Sequence, residues 1–231
     1  MTNDMSGALA RLNRDRALYA NLLEVLRRGS ARVCWAGERG ILLYDEASGA
    51  WMMSAADQAA AGELLALVSG GCDLFVGHEM FYLRSAEARL GFSAKQICYS
   101  ALYPGVEPLA VPAFDGTVRR LGPEWAPWLV EHYENDFGGL PYMQGAFLEG
   151  EREPAGFVGF HEEGSIGLLE VLPHRRRLGL GEILQRSAVN LALERGQLAF
   201  GQVFYTNTAS LALQRRVGME LSEGRMFWAF P

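Results

Sequence analysis

The stretch Leu172–Ser187 reads LPHRRRLGLGEILQRS. It sets Arg175, Arg176 and Arg177 directly ahead of Gly179 and Gly181, at the mouth of a segment with helical character. A crowded cationic turn is costly unless something negative rests on it. A helix N-terminus exposes unpaired backbone N–H groups and carries a partial positive charge. Glycines let the backbone close on an anion with no Cβ in the way. A strand over 166–172 that delivers this turn into a helix therefore reads as a phosphate site. Three familiar phosphate loops do not fit. Glu182 stands where a P-loop needs its lysine, and Leu180 to Leu184 supplies no third glycine for a dinucleotide fingerprint. The segments that would accompany a kinase glycine loop are missing from the chain.

Working outward, the helix predicted after the turn carries Leu184, Ala188 and Leu191 on one face and stops at Gly196. LAFGQVFYTN reads as a strand, TASLALQRRVG as a short helix capped by Asn207, and GRMFWAF as a last strand. Upstream, PAGFVGFH and SIGLLEVLP alternate as paired strands joined at Glu162 to Gly164. A strand TVRRLG, a helix PEWAPWLVEHYEN and a helix around Gln144 to Gly150 are expected before them. The loop Asp136 to Met143 has the Gly/Pro/aromatic mix of either an acceptor loop or a simple connection.

The first thirty residues read as one amphipathic helix, with Leu12, Leu18, Leu22 and Leu26 at helical spacing and Gly29 as its stop. ARVCWAG, GILLYDEASGAWMMSA, CDLFVG and AKQICYSALY are strand-like, and helices are expected in DQAAAGELLALVSGG and EMFYLRSAEARLGF. PGVEPLAVPAFDG has neither period and reads as a linker. Domains of 1–103 and 117–231 joined by 104–116 are expected. The two ends share strand, short helix, Gly-apolar, strand, with Gly91 and Phe92 matching Gly218 and Met219. That pattern suggests a decayed duplication, or only the likeness that many α/β units share.

Composition narrows the function classes. With 231 residues, 49% hydrophobic and 21% charged, the chain suits a packed core. A formal charge of −6 disfavours a general nucleic-acid binder. No apolar run approaches the roughly 18 residues of a membrane helix, and the charged start does not look like a secretory leader. Cys34, Cys72 and Cys98 lie far apart without ligand spacing, so reduced thiols, a cytoplasmic location and no metal are expected.

Arg176, Gly179 and Gly181 form an Arg-x-x-Gly-x-Gly, preceded by Val171 and Pro173. This resembles the diphosphate-binding motif of the GNAT superfamily of acyl-CoA-dependent N-acyltransferases. Downstream, Asn207, Ser210, Leu213, Gly218 and Met219 resemble that family's Asn-x-x-Ser/Ala…Leu-x-x-x-x-Gly-Phe segment. The likeness covers about residues 117 to 231, and is nearest the branch that includes glycine N-acyltransferase-like proteins. It implies an α/β fold of tandem mixed-sheet halves with helices on both faces and splayed central strands, 166–172 and 200–205, in the C-terminal half. It also implies acetyl-CoA or another acyl-CoA in that opening. The pantetheine would run beside Glu170, Val171 and Leu172, and the diphosphate on the N–H groups of Arg177, Leu178, Gly179, Leu180, Gly181 and Glu182. Asn207 and Ser210 would meet the pantetheine or adenosine side, and Arg175 or Arg177 the 3′-phosphate or solvent. The N-terminal half has SAADQ in place of the turn and is expected to bind no CoA.

Acyl transfer to an amine needs a neutral nucleophile and a proton for the departing thiolate. Many family members place a glutamate early on the strand before the turn, and Ser165 stands there. Glu170, in an otherwise apolar run, is the substitute base, or else a structural carboxylate. Gln214 occupies the place of the family's tyrosine acid. Tyr205 could reach the site instead, or simply pack. His161 and His132 are further bases, or surface histidines. The expected acceptor is a small amine or amino-acid-like molecule, with no membrane or nucleic-acid partner. A non-catalytic acyl-CoA-binding regulatory module is the alternative, and a protein or tRNA acylating enzyme would call for a more basic face.

Overall fold

The computed structural model describes residues 4–69, 71–133 and 142–231. Two helices open the chain, α1 (Met5–Leu12) and α2 (Ala20–Arg28), where a single helix was expected. Side chains make the break. Asn13 Nδ2 donates to Leu9 O at 2.8 Å, and Asp15 Oδ1 accepts from Leu18 N–H at 2.9 Å. The second takes a donor that a continuous helix would need, while Leu9 O still accepts from Asn13 N–H at 3.0 Å. Gly29 ends α2 with φ 77°, as its place after the last apolar turn suggested.

The rest of this half runs β1 (Ala31–Gly37), β2 (Gly40–Asp45), β3 (Ala50–Ala55), α3 (Gln58–Leu65), β4 (Phe75–Gly77), α4 (Leu83–Leu90) and β5 (Ala94–Leu102). The C-terminal half runs β6 (Gly116–Leu121), α5 (Ala126–His132), β7 (Met143–Leu148), β8 (Gly156–Phe160), β9 (Ile166–Val171), α6 (Leu180–Glu194), β10 (Phe200–Phe204), α7 (Thr208–Val217), β11 (Glu220–Leu221) and β12 (Met226–Phe230). The helix expected around Gln144 to Gly150 is instead the strand β7, because both of its edges are taken: it pairs antiparallel with β6 and with β8. The part of the expected acceptor loop from Asp136 to Pro141 lies outside the described residues.

The strands form two sheets. One is four-stranded, in the order β6-β7-β8-β9. Its faces are covered by α6, through Leu180, Ile183, Leu184 and Ala188, and by α5, through Leu129 and the neighbouring Trp125 and Trp128. The other is eight-stranded, in the order β1-β2-β3-β4-β12-β5-β10, with β11 also on β5. The chain's last strand thus lies between β4 and β5 of the N-terminal half, while β5 in return bonds to β10 of the C-terminal half. The stretch between them is tied down by a two-way amide clasp. Leu109 N–H donates to Asn190 Oδ1 (2.7 Å), and Asn190 Nδ2 donates to Leu109 O (2.9 Å).

The exchanged strand fills the other half's core. Phe227 of β12 is fully buried among Phe75, Tyr82, Leu42 and Met53, with ring centroids 6.1 Å from Phe75 and 5.6 Å from Tyr82. Opposite it stands Gly77, where a Cβ would lie 2.1 Å from the ring. Phe227→Ala leaves a cavity in the N-terminal core and should cost about 3–5 kcal/mol. Because the strand belongs to both halves, urea unfolding should remain one transition at lower midpoint. Two separated transitions, with only one of them shifted, would show that the halves fold independently.

Candidate active site

Strands β9 and β10 are the inner edges of the two sheets, and no ladder joins them. They begin in contact: a Cβ on Gly201 would lie 2.5 Å from Ile166 O, so only glycine permits the approach. Beyond that point β9 is steered by a bulge. The pairing with β8 slips between Phe157–Glu170 and Gly159–Gly167, and Leu168 sits at φ 56°, a left-handed conformation costly for a branched side chain. Its side chain is anchored in the α5-side core, which holds the strain in place. The edge of β9 that faces β10 therefore carries backbone groups that no strand pairs, available to an extended ligand arm.

At the far end of β9 the chain passes Pro173–Arg175 in a 3₁₀ turn, goes through Arg177 at φ 71° and reaches Gly179 at φ 77°. Gly179 is the N-cap of α6 and provides no side chain to cap it. Glu182 and Ile183 N–H donate back to Gly179 O, at 3.0 and 3.2 Å. The earlier N–H groups of the turn have no carbonyl to reach within the helix. Leu180 is buried and pins the turn to the core, so its N–H is the part left to bind with. At Gly181 a Cβ would meet nothing nearer than Leu213 at 3.7 Å and Val171 at 4.0 Å. Packing does not require a glycine here.

The N-terminal half shows the same helix start closed. There β3 and β4 are paired in parallel over Trp51–Phe75, Met52–Val76 and Met53–Gly77, so no slot opens. Asp57 caps α3 with its own carboxylate, accepting from Ala60 N–H at 2.8 Å. A built-in anion occupies what Gly179 leaves open. Beyond the strand ends, Glu79 accepts from Arg11 (2.9 Å), Tyr19 (2.8 Å), Ser54 (2.7 Å) and Ala55 N–H (3.0 Å). Burial, reinforced by the Glu79 charge, pushes the Tyr19 phenol up to about 12. Burial also depresses His78, keeping it neutral.

The sequence candidates fall into two groups. Glu170, Val171, Leu172, Arg176, Arg177, Leu178, Gly179, Leu180, Gly181 and Glu182 are brought together along β9 and its turn. Glu170 is not sealed in an apolar run as expected: its side chain is 32% exposed and pairs with Arg176 at 2.9 Å, because β9 is an edge strand. Arg176 also donates to Val171 O (3.1 Å), Leu172 N–H donates to Ala155 O (3.0 Å) and the Glu182 carboxylate accepts from Arg186 (2.9 Å). Arg175 pairs with Glu151, while Arg177 enters no ion pair among the described residues. Asn207 caps α7, accepting from Ser210 N–H at 3.0 Å. Tyr205 is exposed at the end of β10, with Arg225 5.4 Å from its ring centroid.

The others are drawn elsewhere. Ser165 is fully buried and donates to Glu163, a partner the sequence reading missed. Gln214 is buried, with its Oε1 unpartnered among the described residues. His132 stacks on Trp128 and bonds to its carbonyl at 2.8 Å. His161 is exposed at the β8–β9 turn, against Gly167. Also missed were the Ile166–Gly201 contact and the exposed Phe204. The glycine in FGQVF was the one signal available for that contact. No group of His, Cys, Asp and Glu among the described residues could hold a metal, and no helix there is long and apolar enough to cross a membrane.

Two parted edge strands thus lead to a helix start that is uncapped and begins with glycine. Residues 110–219 match the sequence profile of the acetyltransferase (GNAT) family, so this part of the chain is similar to the GNAT acetyltransferases. Solved structures of similar fold extend over both halves. A Drosophila protein of structural-genomics origin has 14% identity and a TM-score of 0.70, covering 98% of this chain and 94% of its own. A GCN5-related N-acetyltransferase from Kribbella flavida has 17% identity and a TM-score of 0.56 (94% and 95% covered). A putative GNAT acetyltransferase from Novosphingobium aromaticivorans has 17% identity and a TM-score of 0.53 (94% and 96% covered). No curated protein matches the sequence closely enough to count as a relative.

The two glycines of the turn should respond in opposite directions without ligand. Gly179→Ala forces a Cβ into the left-handed region and should cost about 1–2 kcal/mol. Gly181→Ala has room and a helical backbone, and should stabilise the protein by up to about 1 kcal/mol. Denaturant titration of both variants checks this; equal destabilisation would mean that Gly181 is held by packing.

Proposed function

We propose that the protein transfers an acyl group, acetyl above all, from acyl-CoA to a small amine or amino-acid-like acceptor. The observation that carries this is the glycine-started, uncapped N-terminus of α6 beside the parted strands β9 and β10. In this reading the N–H groups from Arg177 to Glu182 hold the diphosphate, and β9 from Glu170 to Leu172 pairs with the pantetheine arm. Asn207 and Ser210 border the arm at the start of α7. Residues 117–231 are the catalytic domain and 1–103 a degenerate relative joined by 104–116. The free thiols Cys34, Cys72 and Cys98 suit the cytoplasm.

The acceptor nitrogen attacks the thioester carbonyl carbon, a C–N bond forms, the C–S bond breaks and the thiolate takes up a proton. Placement of the two partners supplies much of the acceleration. Glu170 is the group we assign to accept the amine proton, and Tyr205 the group that returns one to sulfur. Arg176 now holds the Glu170 carboxylate at 2.9 Å in a half-exposed pair, which is weak enough to part. A diphosphate on the turn would compete for that guanidinium and release the carboxylate once the slot is filled.

Gly181→Glu puts bulk and like charge on the turn and should abolish acetyl-CoA binding in calorimetric titration; retained affinity would remove the diphosphate from this turn. Glu170→Gln should lower kcat by about 10²-fold or more, with acetyl-CoA affinity changed less than threefold. An unchanged rate would strike Glu170 from the reaction. The alternative of a non-catalytic acyl-CoA-binding module draws on one observation. The family's usual base and acid positions hold Ser165 and Gln214, both buried. Tight CoA binding with no thiol release across an amine library would favour it.

A further inference from the structure

A second concavity lies at the opposite end of the N-terminal half, sharing no residue with β9, β10, α6 or α7. It has a volume of about 380 Å3 and is lined by Asp4, Trp35, Glu38, Arg39, Glu63 and Leu64, among others. That is near the lower end of the range for small-molecule sites, roughly 300–1,000 Å3. Its walls are the N-terminus of α1, the β1–β2 turn and the outer face of α3.

Three features indicate that the wall is arranged rather than incidental. Strand β1 bulges between Val33 and Trp35, which re-aims the indole. Gly37 lets the ring lie back along the strand, since a Cβ there would sit 2.8 Å from Trp35 Cη2. The α1 terminus is clipped onto the same turn. Asp4 N–H donates to Ala36 O at 2.8 Å, and Gly7 is needed where a Cβ would come 2.7 Å from Glu38 Cγ. The indole Nε1 is buried and finds no partner among the described residues.

The charge of the lining has one sign in excess. Asp4, Glu38 and Glu63 oppose a single Arg39, which is already shared between Asp57 (3.0 Å) and Glu63 (3.4 Å). Asp4 and Glu38 enter no ion pair among the described residues. Asp4 spends one oxygen on the Gly7 N–H at 3.1 Å, which leaves the other free. The remainder is apolar: the Trp35 ring, Ala60, Leu64 and the exposed Leu67. An aromatic face beside unpaired carboxylates is the chemistry that recognises an ammonium group on an apolar body.

We propose that this cavity binds a small organic monocation, an amine carried on an aromatic or aliphatic body, at a site separate from the acyl-transfer slot. The Trp35 ring and Leu64 take the body, and Glu38, with Asp4 and Glu63, takes the ammonium. The site is independent of the proposed reaction and stands or falls apart from it.

The probe is phenethylamine, titrated calorimetrically into the whole protein at low salt, with 2-phenylethanol as its uncharged counterpart. The amine should bind at least tenfold more tightly than the alcohol and lose affinity as salt rises. Glu38→Gln with Glu63→Gln should weaken it by about tenfold or more, while Gly181→Glu leaves it intact. Glu38 is exposed in a turn, so Glu38→Gln alone, with an unchanged melting temperature, serves if the double variant is unstable. Equal affinity for amine and alcohol, or no binding of the amine, would overturn the proposal. So would binding that Gly181→Glu abolishes and Glu38→Gln does not, which would place the amine in the transfer slot.

Discussion

Strand β5 is the constraint on which the rest depends. One of its edges bonds to β10, the other to β11 and β12, so residues from both halves are hydrogen bonded through Ala94–Leu102. This fixes β10 as a sheet edge with no second partner. The four-stranded sheet ends at β9, and the two edges touch only where Gly201 admits Ile166. The slot is thus the seam between two sheets, kept from closing by a bulge on one side and by a fully engaged neighbour on the other. The N-terminal half is therefore part of the site's frame even though it lends no residue to the turn.

The two halves make a controlled comparison of one helix start in two chemical states. Where β3 and β4 stay paired, Asp57 supplies the helix with a carboxylate and the Glu79 network fills the space beyond the strand ends. Where β9 and β10 part, Gly179 supplies nothing, and Gly181 keeps its face clear. The backbone dipoles are alike in the two cases. One side chain at the N-cap decides whether the helix answers its own need or waits for an outside anion.

What could be read from the sequence was what depends on local chemistry. Gly29 and Gly196, read as helix stops, took left-handed conformations, and Asn207 capped its helix. The parted strands and the turn were legible because the motif places the glycines and the arginine within six residues of one another. Long-range pairing was not. Nothing in GRMFWAF says that it enters the sheet of the other half, and β7 looked helical because its neighbours on both edges come from elsewhere in the chain. The break in the first helix turned on Asp15, whose side-chain bond to Leu18 N–H competes with a periodicity that runs straight through it. Glu170 was misjudged for a related reason: an apolar run looks buried, but on an edge strand one side stays open.

The most direct test of the account is amide hydrogen exchange on the whole protein with and without acetyl-CoA. The account predicts added protection concentrated at residues 177–182 and along 170–172, with none at the Asp57-capped start of α3. Protection that is absent from the glycine turn, or that appears at residues 57–60 instead, would contradict it.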